Sequence, residues 1–124
     1  MIRGIVLICC AVLTAPASAT DRELIREGRK ITKACQACHD LRSDRVKFGP
    51  PLRNLENRPI ASVEGYPYSE AFKSLEGAWD RETLKRFLRA PAVFAPGNKM
   101  KFPGFKTDRE AEAAAAYIFR RTSR

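Results

Sequence analysis

The stretch Cys35-Gln36-Ala37-Cys38-His39 limits this chain more than any other. On a helical turn, Cys35 and Cys38 (i, i+3) and His39 (i+4 from Cys35) share one face. Cys-x-x-Cys-His is the attachment pattern for a c-type haem. The two thiols add across the vinyl groups, and the imidazole reaches under the iron. A zinc pair, a thioredoxin-like redox pair and a structural disulfide compete for the same spacing. Zinc asks for two further soft ligands. His39 is the sole histidine, and the other two cysteines are Cys9 and Cys10 in the leader-like start of the chain. A thioredoxin-like pair belongs beside a βαβ pattern, and no period-2 strands are found.

The first residues read as a leader. Arg3 is a short positive region, Gly4 to Leu13 is apolar, and Ala17 and Ala19 precede Thr20 as an A-x-A site. This pattern predicts a secretory signal over residues 1–19, cut after Ala19, and a single domain over residues 20–124. The apolar run is too short to span a bilayer. Cys9 and Cys10 read as apolar filler, since Ile8, not a small residue, precedes Cys9. Arg3 is the leader's only charge, so nearly all of the net charge of +9 stays with the domain. A basic exported protein can meet anionic membranes or acidic protein faces. Export and the scatter of the basic residues argue against nucleic acid.

Along the chain, Asp21 to Lys33 reads as a helix capped by Asp21, with Leu24, Gly28, Ile31 and Cys35 on one face. An interior glycine costs about 1 kcal/mol against alanine, so Gly28 suggests close approach of another helix. Asp40 to Asn57 reads as a loop turned at Gly49-Pro50-Pro51, and Arg58-Pro59 to Pro67 as further loop. Tyr68 to Leu75 is a short helix. Asp80 caps a helix over Arg81 to Arg89, with Leu84, Phe87 and Leu88 as its stripe and Pro91 as its stop. Ala92 to Lys106 is a second loop. Thr107 and Glu110 open the last helix as a capping box, with Ala111, Ala114, Ala115 and Ile118 as a narrow apolar face and Arg120 and Arg121 at its end. The class is all-α: three main helices, one short helix and long loops. A haem would give such loops a surface to pack on and would replace part of a modest core.

Outside the leader, Met100 is the only methionine. It lies in Pro96-Gly97-Asn98-Lys99-Met100-Lys101-Phe102, a turn. Alone it would be a packing residue; beside a haem motif its soft thioether is the best sixth ligand. Lys99 and Lys101 compete only when deprotonated.

On these residues the chain resembles the class I c-type cytochromes, the mitochondrial and related bacterial subgroup. Cys35, Cys38 and His39 match the family's haem motif, and Pro96-Gly97-Asn98-Lys99-Met100 is similar to its Pro-Gly-Thr-Lys-Met loop. The resemblance implies the small cytochrome c fold around one covalent haem, ligated by His39 and Met100. It implies that Gly28 and Tyr117 meet where the first and last helices cross. It implies that the carbonyl of Pro50 accepts a hydrogen bond from the His39 imidazole, which fixes the tautomer. By similarity Tyr68 and Trp79 hydrogen-bond the haem propionates, and Arg58 offsets their charge. The chain departs from the family at Thr32, for a frequent aromatic, at Ala114, for a larger aliphatic, at Asn98, for threonine, and at Phe72, for a polar residue.

The expected function is electron transfer, not enzyme catalysis. A monomeric periplasmic carrier would shuttle one electron between redox proteins, meeting acidic docking faces on membrane respiratory complexes or a periplasmic dehydrogenase. Lys33, Lys47, Lys99 and Lys101 are the candidates to ring the haem edge. A dedicated haem subunit of one periplasmic dehydrogenase would use the same residues. A ligand sensor or peroxidase would need an open iron position.

Overall fold

The computed structural model describes residues 17–123. The expected leader, residues 1–19, lies outside the described residues apart from its last three. These belong to helix α1, Ala17–Ile31. Asp21 is therefore inside the helix and does not cap it. Ala17 and Ala19 have the strongest helix propensity, and nothing between them and Asp21 breaks a helix. The Asp21 carboxylate instead approaches Arg81 at 3.8 Å.

Helix α1 gives way at Thr32, whose hydroxyl donates to the carbonyl of Gly28 at 2.7 Å. Thr32 is only 1% exposed, so its polar atom needs that bond. A 3-10 turn, Lys33–Ala37, follows and carries the first cysteine. Among the described residues there is no β-strand, only an isolated bridge between Pro59 and Ala78. The βαβ setting of a thioredoxin-like pair is not present in them.

The remaining helices are α2, Glu70–Lys73, α3, Arg81–Arg89, α4, Pro91–Phe94, and α5, Asp108–Thr122. Ser69 caps α2, which is shorter than the expected Tyr68–Leu75. Asp80 caps α3, accepting from the Thr83 N–H at 2.7 Å, and Leu84, Phe87 and Leu88 are its buried stripe as expected. Pro91 does end α3, but it also starts α4, so residues 92–94 are helical where a loop was expected. Proline fits a first helical position because no N–H is required there. The capping box at Thr107 and Glu110 is present on α5.

Two crossings organise these elements: α1 on α5, and α3 on α5. At the first, a Cβ added to Gly28 would lie 2.0 Å from the Ala113 carbonyl oxygen and 2.7 Å from the Tyr117 Cβ. Gly28 and Tyr117 therefore meet as expected. The tightest contact is with Ala113. The apolar surface of α5 is wider than the expected narrow face. Ala113 and Ala116 pack with Leu24 under α1. Ala111, Ala114, Ala115, Ile118 and Phe119 join Leu55, Trp79, Leu84, Phe87 and Leu88 in the main core. A helix in contact with partners on two sides needs small residues on both, and the run Ala113–Ala116 supplies them. Ala114 is fully buried, so a larger side chain there would have to displace neighbours.

Candidate functional site

The haem motif is wound by short-range backbone bonds. The Cys38 N–H donates to the Cys35 carbonyl at 3.1 Å and the His39 N–H to the same carbonyl at 3.0 Å. One oxygen thus gathers Cys35, Cys38 and His39 on a single turn. Cys35 and Cys38 are not joined in a disulfide. Burial pushes the Cys35 thiol above its ordinary range, partly offset by a hydrogen bond to its own backbone.

The His39 imidazole is held on two sides. Its Nδ1 lies 2.7 Å from the Pro50 carbonyl oxygen. A carbonyl only accepts, so Nδ1 carries the proton and Nε2 keeps a free lone pair. Gly49 lies against the ring: a Cβ there would be 2.5 Å from Cε1 and 2.8 Å from Nδ1. The Gly49 N–H in turn donates to the Cys38 carbonyl at 2.8 Å. Burial holds the His39 pKa below its ordinary value; the Pro50 bond opposes this, and Lys47 and Arg58 add to it. The imidazole is neutral at neutral pH, as a metal ligand must be.

From Pro50 the site continues through Arg58. Two guanidinium nitrogens donate to the carbonyls of Pro51 at 2.9 Å and Arg53 at 3.2 Å. The third, Nε, is buried with no partner. An orphan N–H on a permanent cation points to an anionic group. The Trp79 N–H donates to the Arg58 carbonyl at 2.9 Å, which places Trp79 beside Arg58. The Trp79 indole N–H has no partner among the described residues. The Tyr68 hydroxyl accepts from the Val63 N–H at 3.1 Å, so its own hydrogen stays available.

Aromatic rings carry the wall onward. Tyr68 contacts Phe72, and Phe72 contacts Trp79 and meets Phe87 edge-on. Trp79 stacks on Phe94 of α4 with centroids 5.9 Å apart. Phe72, where the family has a polar residue, joins this apolar wall. Met100 packs against the same core and is partly buried. Its loop is tied down at both ends of Asn98-Lys99: Asn98 bonds to the backbone around it, and Lys99 Nζ donates to the Pro67 carbonyl at 2.6 Å. Asn98 is one of the positions where the chain departs from the family's threonine, and its side chain takes up bonds of its own. The α4 turn that Asn98 caps gave no periodic signal to find it by.

The donor set suits a covalently held haem. Two thiols and a neutral imidazole with its free nitrogen share one turn. A buried guanidinium lacks an anion, and an aromatic wall lies beyond it. Among the described residues no group of three His, Cys, Asp or Glu gathers as a metal site.

A family model for cytochrome c matches residues 25–120. The chain belongs to the cytochrome c family. As such it carries covalently bound haem c with iron, and its helices form the small cytochrome c fold. A cytochrome c homolog of Rickettsia prowazekii is 43% identical over 100 residues, covering 76% of this chain and 57% of that protein. The chain thus spans little more than half of that relative. Cytochrome c2 of Blastochloris viridis is 34% identical over 113 residues, 90% of this chain and 87% of the relative. Among solved structures, cytochrome cH from Methylobacterium extorquens superposes with a TM-score of 0.68 at 30% identity, covering 76% of this chain and 95% of that one. Among the described residues no helix is long and apolar enough to cross a membrane.

Proposed function

We propose that this cytochrome c is an exported, periplasmic one-electron carrier whose haem iron is held by His39 Nε2 and the Met100 thioether. The haem that these residues would hold would supply one-electron redox chemistry. The observation that carries the reading is the His39 imidazole: protonated at Nδ1 toward Pro50, bare at Nε2, and on one turn with Cys35 and Cys38. The Pro50 bond makes Nε2 a stronger donor. The thioether of Met100 would be the second iron ligand and would favour the reduced state. With both ligands supplied by the chain, electron transfer would need little rearrangement.

Arg58, Tyr68 and Trp79 bind the haem propionates in this reading. Arg58 is the main charge compensator, because it is the permanent cation of the three and its Nε is a buried donor without a partner. A cation beside the haem stabilises the reduced state, so Arg58→Gln should lower the reduction potential. Cys35 and Cys38 form the two thioether links.

Partner docking relies on charge. Lys33 and Lys101 are exposed and make no ion pair among the described residues, while Lys47 and Lys99 are latched to the carbonyls of Gln36 and Pro67. The latches fix two cations beside the haem-binding segments. Acidic faces of respiratory complexes or a periplasmic dehydrogenase are the partners this arrangement fits. Such steering weakens as salt rises.

The decisive experiment is Met100→Ala in the purified holoprotein. The thioether-to-iron absorption band of the oxidised protein should vanish, the potential should fall, and carbon monoxide should bind the reduced form. An unchanged spectrum would assign the sixth position to another group.

A further inference from the structure

Asn98 makes more defined polar contacts than any other side chain in the 91–106 segment. Its Nδ2 donates to the Pro91 carbonyl at 3.0 Å and to the Ala95 carbonyl at 3.0 Å. Its Oδ1 accepts from the Met100 N–H at 2.9 Å. Its own N–H donates to the Ala95 carbonyl at 3.0 Å. The two carbonyls and the one N–H fix which end of the amide is which, since the flipped amide would oppose like groups at all three contacts.

We infer that Asn98 is the positioning residue of the methionine loop, a clamp that ties Met100 to the end of α3–α4 and sets how often the sixth iron position opens. This inference rests on the reading of Met100 as the iron's second axial ligand. Met100, Phe102 and Phe105 pack against the core, and Phe105 is bonded to α3, but the Pro96-Gly97 turn itself is open: Gly97 is left-handed at φ +81° with nothing near its Cβ position. Lys99 ties the loop on the other side through one bond to Pro67. Among the described residues, only Asn98 bonds the Met100 backbone. It does so while spanning Pro91 and Ala95, the first residue and the C-cap of α4. A threonine at this position has one hydroxyl and cannot make all three side-chain bonds together. Asn98 can, so this chain holds its methionine through backbone clamping within its own loop.

Clamping sets a population. A small ligand that competes with Met100 binds only when the loop is open. Its apparent dissociation constant is the intrinsic one divided by the open fraction. Removing the three bonds raises the open fraction and tightens the competitor.

The test uses the oxidised holoprotein and imidazole as the competing ligand. Asn98→Leu keeps the volume and loses every side-chain bond. Imidazole should then bind about tenfold or more tightly than to wild type, and carbon monoxide should gain access to the reduced form. Asn98→Asp keeps the acceptor for the Met100 N–H and loses both donations, so it should also tighten imidazole, by at least several-fold. Leu24→Ala, in the separate cluster between α1 and α5, should lower Tm and leave imidazole affinity as in wild type. If Asn98→Leu does not mature, Asn98→Asp alone decides. Wild-type imidazole affinity in the Asn98 variants overturns the clamp, as does an equal gain in Leu24→Ala. A wild-type protein without the thioether band overturns the ligand reading itself, and the clamp with it.

Discussion

Gly49→Ala tests the site at its most crowded point. A Cβ at residue 49 would lie 2.5 Å from the His39 Cε1 and 2.8 Å from Nδ1. Non-bonded carbons rest at about 3.5–4.0 Å, so the ring or the 48–50 backbone must move by roughly 1 Å. The ring is not free to swing, because Nδ1 is bonded at 2.7 Å to the Pro50 carbonyl. A retreat of that size carries the bond beyond about 3.5 Å, where it no longer counts as one. The lost bond costs about 1 kcal/mol and the overpacking about 1–3 kcal/mol. Together they amount to roughly 2–4 kcal/mol. For a domain of this size that is a fall in Tm of roughly 10 °C or more. The potential should rise at the same time, because an imidazole without its carbonyl partner is a weaker donor to the ferric iron. The assay is thermal unfolding of the holoprotein paired with a redox titration. Gly65→Ala is the control: its φ is +79° and nothing lies within 4 Å of a Cβ there. It should cost only the left-handed placement, about 1–2 kcal/mol, and leave the potential alone. A Gly49→Ala protein with wild-type Tm and potential would refute the close packing of Gly49 on His39.

Gly28→Ala should destabilise despite the better helix propensity of alanine, because the Ala113 carbonyl 2.0 Å from the new Cβ cannot yield; denaturant unfolding should show a net loss of about 2 kcal/mol. Thr107→Ala breaks the capping box of α5 and should cost about 1 kcal/mol by the same assay. Asp80 is held below its ordinary pKa of 3.8, chiefly by the Thr83 N–H. Its folded pKa is depressed, so its contribution to α3 is present above that ordinary value and is lost as the pH falls through the folded one; Asp80→Asn should flatten the stability profile below pH 3.8. An acid-unfolding curve with the same slope in both proteins would count against that cap.

Much of this site could be read before any coordinates, because its chemistry is local. Cys35, Cys38 and His39 sit on one turn, and a motif that short needs no tertiary knowledge. The caps at Asp80 and Thr107 are local in the same way. The loops were harder. Residues 91–94 close into α4 only because Ala90 ends α3 and Pro91 has no N–H to satisfy, and a four-residue helix has no period to detect. Asp21 looked like a cap because it is the first acidic residue of the run, while the helix continues past it. Ala113 and Ala116 were missed because alanine carries little pattern; their burial depends on where α1 crosses. Pro50, Arg58, Tyr68 and Trp79 came from resemblance to a family and not from any spacing. The structure places Pro50 on His39 through an imidazole-to-carbonyl bond and Trp79 on Arg58 through a backbone bond, neither of which a window along the chain reveals.

Cooperativity enters through the α1–α5 crossing. Helix α1 has no other large partner among the described elements, and α5 follows it only after all of the haem-binding loops. Without α5, Gly28 faces nothing and α1 has no seat. The turn that carries Cys35 leans on α1 in turn. Two helices far apart in sequence thus hold each other, so loosening α5 should release α1 and the cysteine turn with it, and the described fold should open as one unit.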